Sequence, residues 1–330
     1  MPLFQRKSDE QKRQEAEAAQ LQQASQDALA QGGIPLQAQR RLDELRGRGG
    51  GFFTSDLTVD EFVLAGRIGF HPLTQVMGSS IYHVGWQPTP GSWGYRGFNA
   101  GGFGQELTVV SRAMNEARAR ALGRLAEEAR RAGANVVIGV HVTRAEYDWG
   151  TDLVEFNAVG TAARFKDAPA VDHPAVTNLS GQDFWKLFRS GFWPMGVVAA
   201  STVYYVVAGW QNQWANSVWG GWANQELGDF TQGLYAARHL AMSRVREQAE
   251  RSGAQGIVGM DIEQSEREHE VELGNDRKRK DMIVTFHVMG TALKEMVPKI
   301  PAIHQVLDLR AESSGVSGNQ LRASEKGSER

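Results

Sequence analysis

Eight histidines and no cysteine define what metal chemistry this sequence could support. Without thiolates, a site must be built from two to four converging His, Asp or Glu side chains. No two histidines have the His-x-x-x-His spacing that puts both rings on one helix face. Metal binding is open in principle but unsupported by ligand spacing, and no residue is assigned as a metal ligand. The missing cysteines also remove disulfide frameworks and thiolate nucleophiles, which fits a cytoplasmic chain. Serine, histidine and acidic residues occur, yet none forms a nucleophile elbow or a paired-acid constellation. No catalytic residue is assigned, and any cofactor stays unknown. Gly101-Gly102-Phe103-Gly104 lacks the strand-turn-helix spacing of a dinucleotide loop, so phosphate binding there is a weak reading.

Two other groups carry the candidates for ligand binding or an interface. Arg118 and Arg238 recur in matched sequence, as do Arg124/Arg244 and Glu127/Glu247. Arg124 and Glu127 are helical neighbours, as are Arg244 and Glu247, so ion pairs are the expected role. The tryptophans are more concentrated. Six of nine, Trp185, Trp193, Trp210, Trp214, Trp219 and Trp222, share one segment, and no charge occurs from Ser190 to Gln225. Trp and Tyr among Asn, Gln and Gly suit a protein interface or a stacking pocket. Trp86, Trp210, Trp214, Trp219 and Trp222 join the two arginines as candidates. Gly191 to Trp210 is long enough to cross a bilayer. Its Val, Tyr and Thr content, with Pro194 and Gly196, favours strand and turn. Membrane contact through 191–222 remains the lesser alternative.

These residues need a scaffold, and the chain encodes one twice. Leu57-Thr58-x-x-Glu61-Phe62 with Gly69, Phe70 and Pro72 is answered by Leu179-Ser180-x-x-Asp183-Phe184 with Gly191, Phe192 and Pro194. Gly85-Trp86-Gln87 matches Gly209-Trp210-Gln211, and Gly160-Thr161-Ala162 matches Gly290-Thr291-Ala292. The 330 residues therefore divide into a polar tail with a short helix and Gly-rich joint (1–51), a first domain (52–167), a linker (168–176), a second domain (177–296), and a short helix with a disordered tail (297–330). Residues 52–167 should fold alone. A net charge of -2 argues against a nucleic-acid partner.

Each copy has the same expected elements. Thr58 and Ser180, with an acid three positions on, form capping boxes that open a short helix. Gly69 and Gly191 end it in the left-handed region. A strand follows, Leu73 to Val84 or Met195 to Val207. Next comes a long helix, Val109 to Ala132 or Phe230 to Ser252, with Ala121 and Ala241 on its sheet-facing stripe. A two-stranded hairpin closes the copy. In copy two its loop is expected at Gly274-Asn275, which sets Glu272 opposite Arg277 and Glu270 opposite Arg279. The first thirty residues, short of large apolar anchors, are expected as a solvated tail, with a frayed or partner-dependent helix as the alternative.

Ala117-Arg118-x-x-Ala121-Leu122-x-Arg124-Leu125, then Gly133-Ala134-Asn135-Val136-Val137-x-Gly139 and Gly160-Thr161-Ala162, resemble the YbjQ-like family. Its members are small bacterial proteins usually labelled heavy-metal-binding. Copy two resembles it less closely, through Gly253-Ala254-Gln255-Gly256-Ile257-Val258-Gly259. The resemblance implies an α+β fold, one long helix on an antiparallel-rich sheet, assembling as a pentameric ring. The chain departs in its capped front helix, its Trp-containing loops and its duplication.

The expectation is a non-enzymatic, ring-forming scaffold or binding protein, with a partner or small ligand at subunit junctions. The alternative is a divalent or heavy-metal-binding protein, as the family label suggests. A pentamer of two-domain chains is expected, with each domain forming its own stacked ring. Three chains giving six domains in one circle is the other arrangement.

Overall fold

The computed structural model describes residues 9–47, 53–67, 69–87, 104–146, 153–169, 172–209, 226–272 and 278–296. Copy one begins with α3 (Val59–Arg67), preceded in the chain by α1 (Asp9–Ala30) and α2 (Leu36–Gly47), and continues through β1 (Phe70–His83), β2 (Gln105–Glu106), α4 (Thr108–Ala132), β3 (Val136–Glu146) and β4 (Leu153–Phe165). Between the copies lies β5 (Ala175–Val176). Copy two comprises α5 (Gly181–Arg189), β6 (Phe192–Val206), α6 (Gly228–Arg251), β7 (Gly256–Glu272) and β8 (Lys278–Glu295). The fold is α+β.

The local signals act as the sequence requires. The Thr58 N–H donates to Glu61 Oε2 at 2.9 Å, and the Glu61 N–H returns to Thr58 Oγ1 at 3.3 Å. At the second copy the Asp183 N–H donates to Ser180 Oγ at 3.1 Å. Gly133 and Gly253 leave the long helices at φ +80° and +74°, where a side chain would be strained. Ala121 and Ala241 are fully buried against the sheets. A Cβ on Gly78 of β1 would collide with the α4 backbone at Ala121 and Leu125, so the helix lies very close to its strand.

Two four-stranded sheets form, in the orders β1-β4-β3-β5 and β2-β6-β8-β7. Every pairing is antiparallel except β3 with β5. The copies share even their irregularities. Bulges fall at Pro72/Thr74 and Pro194/Gly196, and again at Ile138/His141 and Val258/Asp261. α4 packs on β1 and β4 of sheet one and also meets β6 of sheet two, joining Ala117, Ala121 and Leu125 with Val203 and Tyr205 in one core. α6 covers the opposite face of sheet two through Ala237, Ala241 and Val245.

Three expectations are corrected. The first concerns the N-terminal tail, which from Asp9 to Ala30 is a 22-residue helix. Its Ala, Gln and Glu are strong helix formers, so local propensity suffices where apolar anchors are few. Most of its described side chains are nevertheless exposed. The second concerns the charged hairpin, whose register differs by one residue. Glu272 stands opposite Lys278 and Glu270 opposite Lys280. A one-residue slip exchanges faces. The observed register leaves Lys278 and Lys280 to pair with Glu270 and Glu268, while Asp281 is buried against the Tyr205 hydroxyl at 2.7 Å. That buried hydrogen bond outweighs exposed ion pairs.

The third concerns only the partners of the repeated charges: Glu127, Arg244 and Glu247 do form ion pairs, but not with one another. Arg124 donates to the carbonyls of Gly33, Ser79 and Leu29. Glu127 instead pairs with Arg130 and Arg131. In copy two Arg244 takes Glu106 and Glu247 takes Arg251. Packing against strands brings Arg244 to Glu106 of β2 and Arg124 to the Ser79 carbonyl of β1, while the end of α1 and the turn after it bring the Leu29 and Gly33 carbonyls to Arg124.

Candidate functional site

The polar residues that converge do so where the two copies meet. Ser111, Asn115 and Arg118 fall on one side of α4 by helical spacing. The Val203 N–H donates to Ser111 Oγ at 2.9 Å. Asn115 grips β6 at both backbone groups of Ser201, donating to its carbonyl at 2.7 Å and accepting its N–H at 2.9 Å. Arg118, buried, donates to Ser201 Oγ and to Asn115 Oδ1, and its guanidinium lies 5.9 Å from the Phe156 ring centre. Burial lowers its pKa to about 10.

Ser201 Oγ is also 2.6 Å from His287 Nδ1. Burial, with Arg144 and Arg118 nearby, pushes the His287 pKa down to about 3. The ring is therefore neutral at ordinary pH. Arg118 already donates into Ser201 Oγ, so the serine hydroxyl proton is free to go to Nδ1, leaving the ring proton on Nε2. Nε2 has no hydrogen-bond partner among the described residues. A serine beside a histidine invites a nucleophile-base reading. The surroundings oppose it: burial and the neighbouring Arg144 and Arg118 hold the ring's basicity down, which makes it a poor base near neutrality. The adjoining cavity, lined by Arg118, Arg144, Phe156, Asp261, Glu263 and His287, holds about 40 Å³, room for water rather than a metabolite.

Strand exchange reinforces the junction. β2 of copy one joins sheet two, with Gln105 opposite Tyr205. Beside it Glu106 grips Arg244 of α6 through two hydrogen bonds, 2.6 and 2.7 Å. In return, β5 joins sheet one beside Val136 and Val137. The next residues serve both sheets. The Gly139 N–H donates to the Leu179 carbonyl at 2.8 Å, while Thr177 Oγ1 lies 2.8 Å from Thr291 Oγ1. Asn178 Nδ2 donates to the Gly259 carbonyl at 2.6 Å. The Gly-Thr-Ala phrase thus receives the segment preceding each front helix, as Thr161 Oγ1 does for the Asp56 N–H at 2.9 Å.

α5 completes the contact by packing Phe184 and Phe188 against Phe165 of sheet one, with ring centres 5.5 and 4.7 Å apart. Trp193 is buried in the same cluster. Between α3 and α5 lies an apolar cavity of about 160 Å³, lined chiefly by Leu57, Ala65, Phe70, Ile138 and Trp185.

The candidate residues separate clearly. Arg118 is central to the junction, whereas Arg238 is exposed on α6. Trp86 is exposed. Trp210, Trp214, Trp219 and Trp222 lie outside the described residues, as do Gly101 to Phe103, the Gly274-Asn275 loop and the C-terminal segment from 297. No group of three or more His, Asp or Glu able to hold a metal occurs among the described residues. No described helix is long and apolar enough to cross a membrane, and Phe192–Val206 of the uncharged run form β6. Sequence reasoning missed Ser201, Asn115 and His287. The mismatch of His287 with Asn157 between otherwise parallel copies was the available signal.

A family model described as "Putative heavy-metal-binding" matches residues 100–166 and 195–295, one region in each copy. A Mycobacterium tuberculosis protein named Encapsulin nanocompartment protein is 38% identical over 213 residues, which cover 63% of this chain and 76% of that protein. No solved structure matches the chain. The matched regions carry the long helix, the hairpin and the Gly-Thr-Ala phrase of both copies, and the chain belongs to this YbjQ-like family as two tandem members.

Proposed function

We propose that the chain is a non-enzymatic, self-assembling structural protein, a scaffold or binding component of a protein nanocompartment in the cytoplasm. The observation that carries the reading is the likeness to the nanocompartment protein, 38% identical over 213 residues. The residues support it. Their polar convergence fastens one domain to another, and the buried Arg118, Ser201 and His287 act as a clasp rather than a catalytic set. A pentamer of chains and a closed ring of three belong to the same reading, and binding of a partner or small ligand is placed at junctions between subunits.

Purified protein examined by mass photometry and negative-stain electron microscopy tests it. Assemblies of several 36.3 kDa chains with closed outlines are expected. A species of one chain mass across the micromolar range overturns the reading. The family's label offers heavy-metal binding instead. Stoichiometric, chelator-reversible heat on titration with zinc or copper would move the function there.

A further inference from the structure

The junction within one chain has two sides, and each side has an unused counterpart. α4 offers the first, with Ser111, Asn115 and Arg118; the matched positions on α6 are Thr231, Tyr235 and Arg238. β6 offers the second, with Ala199, Ser201 and Val203; the matched positions on β1 are Met77, Ser79 and Ile81. Burial differs as a missing partner would dictate. Ala199 and Val203 are 6% and 3% exposed, whereas Met77 and Ile81 are 52% and 59% exposed. Arg118 is buried, whereas Arg238 is exposed, and Tyr235 beside it is among the large apolar side chains left open.

The remaining parts of the junction follow the same rule. Phe184 of α5 is fully buried on sheet one, but its counterpart Phe62 of α3 is 42% exposed. β3 has β5 along its outer edge, but β7, its counterpart, ends sheet two. The charges correspond in sign, although Glu226 accepts from Thr231 Oγ1 and Arg124 donates to Leu29, Gly33 and Ser79 within the chain. Glu106 and Arg244 form the intrachain ion pair; their counterparts are Glu226, exposed ahead of α6, and Arg124, whose described partners are three carbonyl oxygens. Met77 and Ile81 on the sheet and Tyr235 on the helix are large side chains left exposed, as a contact surface without its partner would leave them. Here one face is the structural twin of a surface that the other already fits.

We propose that the outer face of α6, with Tyr235 and Arg238, docks on the outer face of sheet one of a second copy of this chain, at Met77, Ser79 and Ile81. The contact repeats between chains the junction found within each. It rests on the assembly reading above and deepens it by naming the surfaces. In this contact Arg238 donates to Ser79 as Arg118 does to Ser201, with Asn157 in the place of His287. The interface is heterologous, one face meeting a different one, so it propagates until rotation closes it. Every closed circle then holds an even number of domains.

Two variants test it, each breaking one face at an exposed site: Ile81→Asp on the sheet and Arg238→Glu on the helix. Circular dichroism and melting should match the wild type, since neither side chain supports a core. Wild type should run as an assembly in sedimentation velocity, and each variant alone as one chain. Mixing the variants in equal amounts leaves one intact face on each, so the mixture should give a species of twice the 36.3 kDa chain mass and nothing larger. Leu21→Asp, at an exposed site on α1, should leave the assembly unchanged. Variants that assemble like wild type overturn this docking while the assembly reading stands. A mixture that stays at one chain overturns the pairing of these two faces. Wild type at one chain mass overturns both.

Discussion

The two copies share elements, bulges and buried alanines, yet they do not share an environment. In copy two, the outer face of the sheet is covered by α4 and the front helix rests on a neighbouring sheet. In copy one, the same face carries exposed Met77 and Ile81 and the front helix carries exposed Phe62. One sequence pattern therefore yields buried and open versions of the same surface inside a single chain. The lesson is that a residue's role in a duplicated protein is set by its place in the order of domains as much as by its own copy. Arg118 and Arg238 make the point: at matched positions of the two copies, one is clasped and one is exposed to solvent.

Matched substitutions can break that comparison. The largest difference is expected at the front helices. Phe184→Ala should cost about 3–5 kcal/mol by removing a fully buried ring, while Phe62→Ala in a single chain should cost under about 1 kcal/mol. Urea midpoints decide, and equal losses would mean that α3 is as well packed as α5. Next are the arginines. Arg118→Ala opens a cavity, removes the guanidinium donor from Ser201 Oγ and leaves Asn115 Oδ1 with the Ser201 N–H alone, for about 2–4 kcal/mol, while Arg238→Ala stays within about 0.5 kcal/mol of wild type below the assembly concentration.

A smaller effect should be shared by both copies. Ala121→Leu and Ala241→Leu each overpack a helix set close to its sheet and should cost about 1–3 kcal/mol. An unchanged midpoint at either would place that alanine off the packed face. The last difference is in pH and builds up gradually, unit by unit. His287 resists protonation in the fold until about pH 3, while in the unfolded chain it protonates near 6.5. Between these values the unfolded state binds the extra proton, so stability falls as acid is added, by at most about 1.4 kcal/mol per pH unit. His287→Asn, which installs the copy-one residue, should flatten that part of the melting profile between pH 6.5 and 4. A profile of unchanged slope would assign the acid sensitivity elsewhere.

The domain fold was legible because its signals are local. Capping residues, left-handed glycines and an alanine stripe act within a few positions, and each produced its expected element. The junction was not legible, because its partners are distant in sequence. Ser201 sits in an uncharged strand and binds Arg118, 83 positions away in the sequence. Nothing in either neighbourhood announces the pairing. The hairpin register failed for a related reason. Exposed charges pair acceptably in either register, and what decides is Asp281 reaching Tyr205 on another strand. β5 was hidden inside an apparent linker, since two residues carry no periodicity.

The exchange of β2 and β5 has a consequence for synthesis. A ribosome delivers copy one first, but the outer edge of β3 has no neighbour until Ala175 to Leu179 has emerged. Phe165 likewise waits for α5 to cover it. Copy two, in turn, completes β6 with a strand made a hundred residues earlier. Each half can collapse on its own, as residues 52–167 are expected to, but the edges of β3 and β6 are paired only across the copies, so that final pairing is a shared late step. A translational stall between the copies would leave an unpaired edge and an uncovered aromatic cluster on the nascent chain, the combination that chaperones retain.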